Sequence, residues 1–222
     1  KIYQSLFLTQ FLNYTIRQIN SGHTRFYKEA LSLYQTGLEQ QLIIQRQQIT
    51  ETTFGNIATL GCHAGEFEWT KQFINDYQVY LDEAIRADVV AMNLGLWHFY
   101  QDDFNAAYQL FLTHAFTASY QPKARFNLIR TAFEQFLLDE DMFDFVIAQI
   151  EAFEKLLYRK ELSAAYHKEA YLNSIQLLKR LVSYISKRKS LDKLKQSFLQ
   201  QIKQKESMMA RDWFLKKLDM LM

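Results

Sequence analysis

Turn-forming residues are scarce in this chain: one proline, Pro122, and six glycines in 222 residues. An all-β fold needs a Gly- or Pro-rich turn roughly every 8–12 residues. The scarcity excludes that class and points to long helices joined by short polar turns. Cysteine is rarer still. Cys62 alone can build neither an internal disulfide framework nor a multi-cysteine metal centre, and such usage suits a reducing compartment, so a cytoplasmic location is expected. No apolar run approaches the ~18 residues of a membrane span, so no transmembrane segment is expected. No basic–apolar–small signal pattern opens the chain at Lys1 either. Also missing are an H-E-x-x-H, a G-x-S-x-G and a glycine-rich phosphate loop. The expectation is a protein without enzymatic activity, cofactor or metal.

What is present is apolar and aromatic. Hydrophobic residues make up 49% and aromatics 15%, which excludes a disordered chain. The length suffices for one large domain or two small ones. A net charge of +2 hides an uneven distribution. Residues 1–154 carry 10 Lys/Arg against 18 Asp/Glu, and residues 155–222 carry 16 against 6. That asymmetry is the composition's one pointer to a partner.

Along the chain the apolar residues recur at helical spacing. Tyr3, Leu6, Phe7, Phe11, Tyr14 and Ile16 predict a first helix ended by Ser21-Gly22. Thr24 is placed to cap the next, through Tyr27, Ala30, Leu31, Tyr34 and Leu38. The glutamine-rich stretch Gln40–Gln48 reads equally as a short helix or a connector. Thr50 opens a helix that closes at Gly61–Gly65, and further helices follow from Phe67, Asp82, Asp103, Pro122 and Met142. A long pattern covers 161–186, Ser190 caps a basic amphipathic helix, and Trp213–Leu221 marks a last short one.

The stretch Val89–Phe116, an apolar helix, a two-Asp turn and a second helix, repeats. A shift of 37 residues lays Asn56 on Asn93, Ile57 on Leu94, Glu66 on Asp103, Phe67 on Phe104, Thr70 on Ala107 and Ile74 on Phe111. Weaker echoes surround Tyr27 and Phe143. Two antiparallel helices cannot bury both faces alone, so such pairs stack into a continuous core. Leu94-Gly95 followed by Phe104, Ala107 and Phe111 resembles the Leu-Gly … Tyr … Ala … Phe skeleton of a tetratricopeptide repeat. Departures from that family are spacings of 37–40 rather than 34, no closing proline, and Thr70 in place of the small residue. The resemblance implies an all-α, right-handed α-solenoid of antiparallel helical hairpins over residues 1–186. Basic capping helices in 187–222 would belong to the same structural unit.

Two surfaces are candidates. The family often clamps peptides with an Asn at the positions of Asn56 and Asn93, whose amide offers donor and acceptor together. With Asn127, Tyr100 and Arg130 these would line a partner-binding groove. The competing reading is that the amides serve contacts between helices. At the other end Lys187, Arg188, Lys189, Lys193, Lys195 and Lys203 form a basic patch opposite Leu191, Leu194, Phe198 and Ile202. It reads as a solenoid cap, or as a contact for RNA, an acidic protein or an anionic membrane. The function implied is a non-catalytic scaffold binding a protein or peptide, with nucleic acid or another anionic partner as the alternative. Self-association, acidic part to basic end, is a third option. His98 with Asp102, and His63 with Glu66, share helix faces but supply only two metal ligands each. Cys62 and His63 point about 100° apart on a helix, wrong for a nucleophile and its base.

Overall fold

Side-chain caps start the helices where the sequence places them. Thr50 Oγ1 accepts from the Thr53 N–H at 3.2 Å, Asp82 Oδ1 from Ala84 at 2.8 Å, and Asp103 Oδ1 from Ala106 at 3.2 Å. Each satisfies a donor the helix would leave open, a gain of about 1 kcal/mol. The computed structural model describes residues 2–20, 23–159, 165–187, 192–205 and 207–221. Among these every regular element is helical, and the chain divides into two compact units, Lys1–Thr117 and Ala118–Met222. The 187–222 segment expected as a cap falls inside the second.

The first unit holds α1 (Ile2–Asn20), α2 (Phe26–Glu39), α3 (Glu51–Ala64), α4 (Phe67–Tyr77), α5 (Glu83–Tyr100) and α6 (Phe104–Thr113). Each packs on the next, and α3 also packs on α5. The two hairpins α3–α4 and α5–α6 share one turn design. The Glu66 N–H reaches back to the Gly61 carbonyl and Gly65 to Cys62, and 37 residues on Asp103 reaches His98 and Asp102 reaches Phe99. Each turn holds a left-handed residue, Gly65 at φ 81° directly after α3 and Asp102 at φ 59° two residues after the end of α5, the geometry that satisfies the last carbonyls of a helix. The 37-residue offset read from side chains is therefore kept by the backbone.

Close approach follows the same pairs. A Cβ added at Gly61 would stand 2.0 Å from the Thr70 hydroxyl, and one at Gly95 2.5 Å from the Phe111 ring. Gly61 is thus a packing glycine inside α3, and only Gly65 serves the turn. Helix α5 touches α3, α4 and α6 and is accordingly buried on several sides, through Val89, Met92, Gly95, Trp97 and Phe99. Ala107 is fully buried at its crossing.

The second unit holds α7 (Gln121–Leu138), α8 (Phe143–Arg159), α9 (Ala165–Ser186), α10 (Asp192–Gln204) and α11 (Arg211–Leu221). Pro122 lies in the first turn of α7, where no N–H is missed. Asp139 caps a short 3₁₀ turn that leads into α8. Helices α7, α8 and α9 pack mutually and α10 packs on α11. Phe133, Phe136, Phe153, Phe198 and Phe214 form the apolar interior.

One local expectation is corrected, and one left open between two readings is decided. Thr24 does not cap α2; Arg25 precedes it without a side-chain cap bond. The Gln40–Gln48 stretch is an irregular connector with left-handed Gln41, Arg46 and Gln47 and a bridge between Gln45 and Gln48. Ser21, Gly22 and Ser190 lie outside the described residues. Among the described residues no helix is long and apolar enough to cross a membrane.

Candidate interaction surfaces

The asparagines expected to line a groove do not share one environment. Asn93 is buried and its Nδ2 donates to the Val89 carbonyl one turn back, at 2.7 Å. Asn127, in the second unit, is buried too, and its Oδ1 accepts from Arg130 Nη1 at 2.9 Å. Arg130 is itself buried, with its guanidinium 5.1 Å from the centre of the Trp213 ring. These three side chains serve the interior, because a buried amide or guanidinium must be bonded internally. They are not on a surface a partner could reach. Asn56 is exposed on α3 and bonds the buried Tyr34 hydroxyl, whose pKa is raised by burial and only partly lowered by that bond. Tyr100 is half-buried and packs on His63 at 4.7 Å, which stacks in turn on Tyr27 at 4.4 Å.

The basic end is open only in part. Lys187, just past the C-terminal end of α9, and Lys203 and Lys205, at the C-terminal end of α10, are exposed. Lys195 is half-buried and paired with Asp219 at 3.2 Å. Arg188, Lys189 and the side chain of Lys193 lie outside the described residues.

Groups with catalytic potential are held in structural roles. Burial pushes the Cys62 thiol up to about 12, far from a usable thiolate. His98 pairs with Asp103 at 3.0 Å, not with Asp102, which is committed to the left-handed turn. Asp88, buried on α5, accepts from the backbone N–H and the hydroxyl of Thr117 and stands 2.9 Å from His114 Nε2. The hydroxyl donates to the carboxylate rather than to the imidazole, so this set latches the segment after α6 and does not activate a nucleophile. No cluster among the described residues groups three or more His, Cys, Asp or Glu side chains for a metal.

The most exposed apolar face in the first unit is one the sequence had marked as a helix stripe. On α1, Tyr3 is 80% exposed, Leu6 55%, Phe7 65%, Phe11 57% and Tyr14 54%. The helix packs on α2 with its other side, where Thr15 and Ile19 are buried and Leu8 and Leu12 half-buried. Leu8 lies where a Cβ at Gly37 of α2 would meet it at 2.6 Å. Helix α1 therefore carries two apolar faces, and periodicity alone does not say which is inside. A signal was available nonetheless: no Lys, Arg, Asp or Glu occurs from Ile2 to Ile16, an unusual run for a helix with a solvent face. Beside the stripe, Ser5, Leu6, Thr9, Leu42 and Ile44 line an open groove of about 430 Å³.

Comparison of the chain with family models, with curated proteins and with solved structures gave no match.

Proposed function

We propose that the chain is a non-catalytic protein–protein interaction scaffold, a tetratricopeptide-like right-handed stack of helical hairpins. The observation that carries this reading is the aromatic stripe of α1. Contiguous exposed apolar patches of several hundred Å² mark interaction sites on soluble proteins, and Tyr and Phe are what interface cores favour. The repeated hairpin turn, kept over 37 residues in α3–α4 and α5–α6, supports the stacked architecture. Because Asn93, Asn127 and Arg130 are buried, this reading takes α1 as the binding face rather than an asparagine-lined groove.

A photo-crosslinking amino acid at Phe7 tests this in the native cell, with exposed Gln109 on α6 as the control position. A discrete protein adduct from position 7 and none from 109 is expected. The absence of any adduct from position 7 sinks the proposal.

A second reading is favoured by the charge of the second unit, 19 Lys/Arg against 13 Asp/Glu, and by exposed Lys187, Lys203 and Lys205. In it the basic end binds RNA or another polyanion, with affinity falling steeply from roughly 50 to 200 mM salt. Affinity that stays flat over that range dismisses it.

A further inference from the structure

Resting on the scaffold reading, we infer that the occupant of the α1 stripe is a second copy of this chain, bound through α1 in an antiparallel, two-fold arrangement. Three observations point there. The first is symmetry in the spacing. Counted inward from each end, the stripe reads Tyr3, two residues, Leu6 and Phe7; then Tyr14, two residues, Phe11 and Gln10. The apolar positions Tyr3, Leu6, Phe11 and Tyr14 are mirrored about the middle of the stripe, between Leu8 and Thr9, and Phe7 falls opposite the uncharged Gln10. A two-fold axis there sets Tyr3 against Tyr14 of the other copy, Leu6 against Phe11, and Phe7 against Gln10. An isologous interface requires this, since each contact must occur twice with the partners exchanged.

The second is charge. The face has none: Gln4, Ser5, Thr9, Gln10 and Asn13 flank the aromatics, and Arg17 is the first ionised side chain after Lys1. An uncharged face meets its own copy without repulsion and gives a charged partner nothing to pair with. A membrane surface fits poorly, because helices that lie on lipid carry Lys and Arg on the polar side.

The third is area. A whole aromatic side chain offers roughly 150–250 Å², so five side chains exposed by 54–80% give roughly 500–700 Å². Two copies then bury roughly 1,000–1,400 Å² before the flanking amides are added, which reaches the lower range of specific interfaces, about 1,200 Å². Antiparallel helices meeting along about three turns are an ordinary packing.

The test is oligomeric state by sedimentation of the whole chain, with circular dichroism as the check on folding. The wild type is expected to sediment at twice the mass of one chain at about 50 µM, above the micromolar Kd a contact of this size supports. Phe7→Glu/Phe11→Glu is expected to sediment as a monomer with unchanged helicity. A rescue separates pairing from general damage. Leu6→Glu and Phe11→Lys are each expected to be monomeric alone and to form a mixed dimer when combined, because the two-fold brings residue 6 to residue 11. A wild type that stays monomeric at about 200 µM overturns the inference, as does a dimer that survives Phe7→Glu/Phe11→Glu. Wild-type binding to phosphatidylcholine vesicles that this double variant abolishes assigns the face to lipid and overturns it too. Photo-adducts from Phe7 to another protein, with none to the chain itself, end the dimer while leaving the scaffold reading intact.

Discussion

Asp88 shows what a single buried carboxylate can contribute. Burial opposes its ionisation, but the Thr117 hydroxyl, His114 and the Thr117 N–H together outweigh that and hold its pKa below the ordinary 3.8. A carboxylate whose folded pKa is depressed contributes stability that is complete above the unfolded value. That contribution is lost as pH falls through the folded one. Asp88→Asn keeps one acceptor but turns an N–H₂ toward donors, and is expected to cost about 2 kcal/mol at pH 7, the scale of hydrogen bonds to a charged group. In urea unfolding the gap between wild type and variant should shrink as pH falls below about 4, through the range in which the unfolded and then the folded carboxylate is protonated. A gap unchanged at pH 3 would show that the carboxylate charge is not what the latch uses.

Between elements, two contacts set how closely helices approach. Gly61→Ala drives a methyl into Thr70, and overpacking of this kind costs about 1–3 kcal/mol. Thr70→Ala removes the hydroxyl 2.0 Å away but leaves the Thr70 Cβ at 3.2 Å. The double variant should therefore recover part of the loss and not all of it, as non-additive unfolding energies would report. In the second unit, Glu134 on α7 accepts from Trp213 Nε1 and pairs with Lys217 Nζ of α11, both at 2.6 Å and both buried. Lys217→Met leaves that carboxylate without its cation and is expected to cost about 3–5 kcal/mol, while Glu134→Gln/Lys217→Met, which removes both charges and keeps an acceptor for Trp213 Nε1, should recover most of that loss. A single variant as stable as the wild type would show that water reaches Glu134. These contacts also mark what was legible in the sequence. Caps at Thr50, Asp82 and Asp103 depend on neighbours a few residues away, so local pattern reveals them. The burial of Asn93 and Arg130, the Glu134–Lys217 pair and the packing face of α1 depend on residues distant in sequence. Asn93, one turn from Val89 and inside an apolar helix, could be read either way from the sequence. The exposed stripe of α1 was visible as a pattern, but which of two apolar faces turns outward is decided by what α2 offers it at Gly37.

For the whole molecule the charges divide with the fold. The first unit carries 7 Lys/Arg against 11 Asp/Glu, the second 19 against 13, and the exposed stripe of α1 carries none. Three modes of association thus respond differently to salt. Pairing through α1 buries apolar surface, which added sodium chloride does not screen. Head-to-tail pairing of acidic and basic units weakens as the Debye length shrinks from about 14 to about 4 Å over 50 to 500 mM. A polyanion held by Lys187, Lys203 and Lys205 releases counterions, roughly 0.7–0.9 per contact, so a tenfold rise in salt should weaken it about 100- to 500-fold. We expect the dimer constant, from sedimentation over that salt range, to change by less than about threefold, because no ionised pair crosses the α1 contact. Heparin binding followed in parallel should collapse if the basic end is a site, and Lys187→Glu/Lys203→Glu/Lys205→Glu should flatten its slope without touching the dimer. A dimer that dissolves in salt would instead assign association to the opposed charges of the two units, and α1 would lose its role.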